Sequence, residues 1–214
     1  MKQIPSSQFL SFIPLSESDR LLHSWGFDLT KEYFSIVSRL DLTTPVVVEL
    51  ATGSGRMSAV LSGLFPVVLT GDYSLSDHAR AVKRIPPQFL GRVQFVQLTM
   101  EVLPFRSNSI PLIVCMNTLH EVQQPMQCIN EMFRVLSPKG TIVLGDFNNT
   151  GFSAMKTIHE IVYHDVHTEG CITMKEIYSV TKETFARIEE IETPLNYTLI
   201  ASYKRTATSF AKNF

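Results

Sequence analysis

Between Pro45 and Asp72 the sequence switches twice between two hydrophobic periods, and that switch limits the chain to few folds. The β-branched run Val46 to Leu50 reads as a strand buried on both faces, the kind a parallel sheet requires. Behind it come Gly53 and Gly55, then Met57, Val60, Leu61 and Leu64 at helical spacing, then Val67, Val68 and Leu69 in a second strand ending at Asp72. Parallel neighbours need a crossover connection, so this order predicts a βαβ unit.

The same alternation extends in both directions. Tyr33, Phe34, Ile36, Val37 and Leu40 mark a helix from Thr30; a helix around Ser76 to Arg84 precedes strands at Val93 to Leu98 and Leu112 to Met116. A helix Met126 to Leu136 and a strand Thr141 to Phe147 follow, then helices near Phe152 to His164 and Met174 to Thr181. Two β-rich runs, Phe185 to Ile191 and Tyr197 to Tyr203, lie so close together that they predict an antiparallel hairpin at a sheet edge. The expected fold is α/β: a doubly wound, mostly parallel seven-stranded sheet with helices on both faces. At 214 residues and 44% hydrophobic content, with no repeat or low-complexity linker, one domain is expected.

Lys and Arg total 19 against 20 Asp and Glu, so no broad positive field is available to attract a phosphate backbone, and no nucleic-acid partner is expected. Cys115, Cys128 and Cys171 are odd in number and lack a CxxC pair, which speaks against a disulfide framework. No charged head with a long apolar run opens the chain, and no stretch approaches the roughly 18 apolar residues of a membrane span. A cytoplasmic protein without a membrane partner is expected, its oligomeric state unspecified.

The loop from Glu49 to Gly55 leaves a strand and enters a helix through two glycines, a geometry that lets backbone approach a ligand closely. Ligands of open α/β sheets sit beyond the carboxyl ends of the strands, where this loop lies. No Gly-Lys-Ser/Thr follows, which excludes a P-loop. The dinucleotide pattern is only nearly met, because Ser58 stands where a third Gly or Ala aids helix packing. Glu49 would repel a pyrophosphate but attract an ammonium group, and Asp72 would accept from two ribose hydroxyls. An adenosine-bearing ligand follows from these residues, with S-adenosylmethionine favoured and NAD still open.

Further segments occur in order: Glu101-Val102-Leu103-Pro104-Phe105, Leu112 to Met116, Asn117-Thr118-Leu119-His120, Glu131 to Leu136, Pro138-Lys139-Gly140 and Gly145-Asp146-Phe147. The series resembles the Rossmann-like class I S-adenosylmethionine-dependent methyltransferases, in their small-molecule, ubiquinone-biosynthesis-like branch, from about Thr30 to Phe147 with a weaker tail to Lys204. The resemblance implies that Glu49, Ala51, Gly53 and Gly55 hold the methionine part, Asp72 and Tyr73 the ribose, and Met100 with Glu101 the adenine edge. Asn117 would lie beside the sulfonium methyl. It divides the chain into an N-terminal cap and first helix (1–43), a cofactor-binding core (44–148), and substrate-side helices with the C-terminal hairpin (149–214). Thr99 stands where the family usually has an Asp on the adenine amino group, and would accept through its hydroxyl. Ala51 and Lys139 replace glycines, Pro111 replaces an Asp, and Glu121 replaces the second His of a frequent Leu-His-His pattern.

The activity so implied is methyl transfer to a small molecule, an in-line displacement that needs mainly alignment. His120 and Glu121 are the candidate general bases for a protonated acceptor. Two alternatives remain: a cofactor-binding protein without transferase activity, and an NAD-dependent oxidoreductase. His159, His164, His167 and Cys171 are metal-ligating types, but 159 and 164 share no helix face and no HExxH or CxxC supports them, so no metal is expected. Phe9, Phe12, Trp25 and Phe27 are expected mostly in the core, with the N-terminal segment as a lid.

Overall fold

The computed structural model describes residues 6–167, 170 and 172–205. Its sheet has the strand order β3-β2-β1-β4-β5-β7-β6, with β1 Val47–Leu50, β2 Val68–Asp72, β3 Val93–Gln97, β4 Ile110–Met116, β5 Leu136–Phe147, β6 Phe185–Glu192 and β7 Asn196–Lys204. The first five strands are parallel, and β7 runs antiparallel to both β5 and β6. The seven-stranded sheet and its antiparallel C-terminal hairpin agree with the expectation. From β1 the chain moves one way to β2 and β3, then returns to place β4 on the other flank. That reversal opens a crevice beyond the carboxyl ends of β1 and β4.

Helices α1 Ser6–Leu10, α2 Glu17–Ser24, α3 Leu29–Val37, α4 Arg56–Leu64, α5 Leu75–Arg84, α6 Pro125–Val135, α7 Asn149–Ile158 and α8 Met174–Thr184 cover the two faces. Neighbouring strand residues divide between two cores, as a period of two demands. Val47 and Val114 pack with Ile36, Leu61 and Ile158, whereas Val48 and Ile113 pack with Ile129, Met132 and Ile177. Inserting β1 between β2 and β4 leaves every residue of this short strand buried, Glu49 included.

Several elements depart from the periodicity. The helix expected from Phe152 begins at Asn149, where the Asn148 side chain caps Gly151 N, and it passes into a π-helical turn, His159–Tyr163. Strand β5 starts directly out of α6 at Leu136, and the register slips between Ile110 and Leu112, around Pro111. Pro111 is therefore the second residue of β4, at an irregularity that tolerates its missing N–H. Helices α1 and α2 were not apparent in the hydrophobic pattern. Yet α2 carries a reciprocal cap in which Asp19 N donates to Ser16 Oγ and Ser16 N donates to Asp19.

The expectation for the N-terminal aromatics divides. Phe9 is buried so tightly over Gly63 that a Cβ there would fall 1.4 Å from its ring, and Phe27 packs against the same core, whereas Phe12 and Trp25 are exposed. Glu32 of α3 ties this end of the chain to the last hairpin. Its Oε2 accepts from Thr193 Oγ1 at 2.5 Å, Leu195 N at 3.1 Å and Asn196 Nδ2 at 2.7 Å. Among the described residues no helix is long and apolar enough to cross a membrane.

Candidate active site

Strand β1 ends in a loop where Ala51, Gly53 and Gly55 all take positive φ, at 62°, 49° and 78°. Gly55 has a second constraint, because a Cβ on it would lie 2.6 Å from the Ala81 backbone of α5. Ala51 adopts a left-handed conformation that an L side chain disfavours, at a position where the resemblance implies glycine. The loop is fastened from the neighbouring strand. Thr52 and Thr70 share a hydroxyl hydrogen bond of 2.7 Å, Gly53 N donates to Asp72 Oδ2 at 2.9 Å, and Ser74 N donates to Asp72 Oδ1 at 3.0 Å.

Glu49 is buried, and Ser58 Oγ donates to its carboxylate. Burial raises its pKa to about 7, more than the hydrogen bonds from Ser58 and Thr70 lower it, and the charge of Asp72 adds to the rise. No cationic side chain among the described residues forms an ion pair with it. Ser58, which breaks the dinucleotide pattern, thus serves to hold this carboxylate.

Above the loop lies a cavity of about 880 Å³ that crosses the ends of β2, β1, β4 and β5. Of the residues expected to hold the cofactor, Glu49, Ala51, Gly53, Asp72, Tyr73, Thr99, Met100, Glu101 and Asn117 line it. Gly55 stands behind the lining, where it shapes the backbone. Asn117 has φ 52°, its Nδ2 donates to Tyr33 Oη at 2.8 Å, and its Oδ1 is buried with no partner among the described residues.

Tyr33, read from periodicity only as a helix position, and Arg56, which the sequence pattern did not single out, also line the cavity. Burial raises the pKa of the Tyr33 hydroxyl, against the lowering effect of the Arg56 charge and the Asn117 hydrogen bond. Arg56 continues to Asp19 of α2 through its Nε at 3.0 Å and Nη2 at 2.9 Å, and Arg84 Nη2 pairs with the other carboxylate oxygen. Burial works against the Asp19 charge, yet the two guanidiniums and the Ser16 hydrogen bonds bring its pKa down to about 2.

At the β5 end of the cavity a second polar cluster forms. Glu121, His159 and His167 line the wall, and His120 sits behind them, buried. His120 Nδ1 lies 2.6 Å from Asp146 Oδ1, and Asp146 also accepts from the backbone N–H of His120 at 3.2 Å and of Phe147 at 2.9 Å. His120 Nε2 is 3.3 Å from His167 Nε2 and 3.5 Å from Glu121 Oε1. Burial alone would lower the His120 pKa, but the carboxylates of Asp146 and Glu121 prevail and raise it to about 9. Burial and the neighbouring imidazoles lower that of His167.

Of the two expected bases, then, Glu121 faces the cavity and His120 does not. His159 joins the cluster, its ring 4.6 Å from that of His167 and its Nδ1 2.6 Å from Asp165 Oδ1. His164 ends the π-helical turn at φ 56°, exposed, and Cys171 lies outside the described residues. Gly170 presses on the backbone of His120, where a Cβ would come within 2.1 Å of its carbonyl oxygen. Linear spacing could not show this cluster, because it joins the end of β4 to a loop far along the chain.

Residues 48–144 match the family described as a methyltransferase domain. The chain is 30% identical over 144 residues to the ubiquinone/menaquinone biosynthesis C-methyltransferase UbiE of Shewanella pealeana, a match covering 64% of this chain and 57% of that relative. The chain thus spans little more than half of the relative's length. Among solved structures it is similar to a SAM-dependent methyltransferase from Aquifex aeolicus, with TM-score 0.56 and 15% identity, covering 83% of this chain and 99% of the other. A similar likeness holds for an S-adenosylmethionine-dependent methyltransferase from Mesorhizobium loti, with TM-score 0.58, 16% identity and coverage of 80% and 96%. At such identities the structural likeness establishes the fold.

Proposed function

We infer that this chain, whose residues 48–144 form a methyltransferase domain on the class I fold, transfers the sulfonium methyl of S-adenosylmethionine to a small-molecule acceptor. The observation that carries the reading is Glu49: a buried carboxylate, unpaired with any cation among the described residues, at the strand end beneath the cavity. An α-ammonium group is the partner such a carboxylate lacks, and S-adenosylmethionine presents one where a dinucleotide presents a pyrophosphate.

The other residues fit the same ligand. Asp72 keeps one lone-pair direction on each oxygen after accepting from Gly53 N and Ser74 N, enough for a ribose diol. Thr99, Met100 and Glu101 take the adenine edge, with Tyr73 over the ribose. Gly53 brings bare backbone to the methionine part. The orphaned Oδ1 of Asn117 is an acceptor beside the polarised methyl. The cofactor supplies a methyl group on a good leaving group, so the chain's task is alignment and exclusion of water. Tyr33 and Arg56, tied to α2 through Asp19, close one side of that space.

Phe147 and Met155 give the β5 end of the cavity an apolar wall, and Glu121, His159 and His167 give it polar groups. A small, largely apolar acceptor with a polar substituent suits it, in keeping with a relative named for quinone biosynthesis. Glu121 is assigned the contact with the acceptor's proton, with His120 behind it as a positioning residue held by Asp146. In this reading 44–148 hold the cofactor, while 1–43 and the segments after 148 enclose the acceptor. A near-neutral charge balance argues against a nucleic-acid acceptor, and a cytoplasmic location belongs to the same proposal.

Calorimetric titration with S-adenosylhomocysteine and NAD tests the reading. Binding of S-adenosylhomocysteine, at least tenfold weaker in Glu49→Gln, is expected; binding of NAD in its place would overturn it.

A further inference from the structure

We propose that His120 Nε2, His167 Nε2 and a Glu121 carboxylate oxygen bind a divalent transition-metal ion of the Zn²⁺ class at the acceptor end of the cavity. These three atoms lie within 4.8 Å of one another. Their separations are 3.3 Å between the two imidazole nitrogens, 3.5 Å from His120 to Glu121 and 3.9 Å from His167 to Glu121. A tetrahedral zinc shell with metal–ligand distances of about 2.0–2.2 Å places neighbouring donor atoms roughly 3.3–3.5 Å apart. The spacing of the cluster is close to that of a coordination shell before any ion is added.

The hydrogen bonding points the same way. Asp146 accepts from Nδ1 of His120, which leaves Nε2 as the ring atom directed at His167 and Glu121 and the one that would ligate once a metal displaces its proton. Asp146 is itself fixed by the backbone N–H groups of His120 and Phe147. A carboxylate orienting the second nitrogen of an imidazole is the usual outer support of a metal-ligating histidine. Among the described residues no lysine or arginine forms an ion pair with the three donor atoms, so no fixed side-chain cation competes with a metal for them.

The rest of the environment suits an open site. The Phe147 and Phe152 rings lie 5.8 and 5.1 Å from that of His120 and shield the back of the cluster, whereas Glu121 and His167 reach the cavity. Two imidazoles and one carboxylate leave at least one coordination position for a water or a substrate oxygen. With the ion bound, the role given above to free Glu121 would pass to the metal, and the site would select acceptors that present an enol or phenol oxygen, held as the anion.

The test uses the full chain, stripped with a chelator, then titrated with ZnCl₂ by calorimetry and with CoCl₂ by visible absorption. One equivalent of Zn²⁺ is expected to bind in the micromolar range or tighter, and Co²⁺ to give the intense bands of a four- or five-coordinate ion. His167→Ala and Glu121→Gln should each weaken binding at least tenfold, and Asp146→Asn by about tenfold or more. His164→Ala, outside the cluster, should leave it unchanged. Failure of the parent to bind either ion below millimolar concentration, or equal binding by His167→Ala and the parent, would sink the proposal. Glu121→Gln keeps the test open should His167→Ala not fold, as judged by near-ultraviolet dichroism. Titration of the stripped protein with S-adenosylhomocysteine separates this outcome from failure of the methyltransferase reading.

Discussion

Asp19 of α2 receives both Nε and Nη2 of Arg56, and Arg56 lines the cavity wall together with Tyr33. One carboxylate in the N-terminal segment thereby governs the first turn of the helix that follows the glycine loop. Buried in the interior and shared with Arg84, it is the ionic centre of the cap.

Removing that charge leaves two guanidiniums without their partner, so Asp19→Asn is expected to destabilise the protein by about 3–5 kcal/mol. The same pairing makes stability acid-sensitive. A folded-state pKa of about 2 against an ordinary value of 3.8 adds stability that is complete above pH 4 and disappears as the pH falls through 2. Urea denaturation of parent and variant between pH 3 and 7 measures both effects, and equal midpoints at pH 7 would count against the ion pair.

Glu49 has the opposite sign. Its pKa rises from 4.5 to about 7 on folding, so the folded chain holds a proton that the unfolded chain releases, and stability falls as pH rises across that interval, by roughly 3 kcal/mol in total. In Glu49→Gln this decline should vanish. A bound ammonium would draw the proton off, so S-adenosylhomocysteine should bind more tightly with rising pH up to about 7 and release a proton. Calorimetry in buffers of different ionisation heat detects that release; a pH-independent affinity would show that Glu49 does not meet the ligand's ammonium.

Two small substitutions in the loop should act in opposite directions. Gly55→Ala sets a Cβ 2.6 Å from the Ala81 backbone at a φ of 78°, and is expected to cost several kcal/mol and weaken cofactor binding at least tenfold. Ala51→Gly relieves a left-handed alanine and should stabilise by up to about 1 kcal/mol with binding retained. Thermal unfolding with and without S-adenosylhomocysteine reads both.

At the adenine end, Thr99→Asp would supply a charged acceptor in place of a hydroxyl. A difference of about 1 kcal/mol between charged and neutral hydrogen bonds predicts S-adenosylhomocysteine binding about fivefold tighter. Unchanged affinity, measured by titration, would mean that the adenine amino group does not face position 99.

The strands and the glycine loop were legible because they rest on local signals: unbroken β-branched runs, a helical period and two glycines at a strand end. Glu49 and Asp72 were legible for the same reason, since each ends or nearly ends a strand whose place in the sheet the alternation implied. The His120 cluster was not. Its members lie in the loop after β4, at the end of β5, and in the π-helical turn and loop after α7, and only the strand order brings those ends together. Tyr33 looked like an ordinary helix residue and Arg56 was not singled out, because their roles come from contacts with Asn117 and Asp19, distant in sequence. The start of α7 was misplaced because its signal was a side-chain cap at Asn148 rather than a hydrophobic period.

The contacts of Glu32 set a lower limit on how much chain can stand alone. A carboxylate in α3, ahead of the first strand, relies for its donors on Thr193, Leu195 and Asn196 in the last hairpin. The stretch by which the family is recognised, 48–144, contains neither partner. Excised, that stretch would lose the antiparallel neighbour of β5 and the helix α3 that packs against α4 together. The unit of cooperativity is therefore larger than the unit of kinship: near and far ends must meet before either is stable, and long-range closure of this kind makes for slow folding.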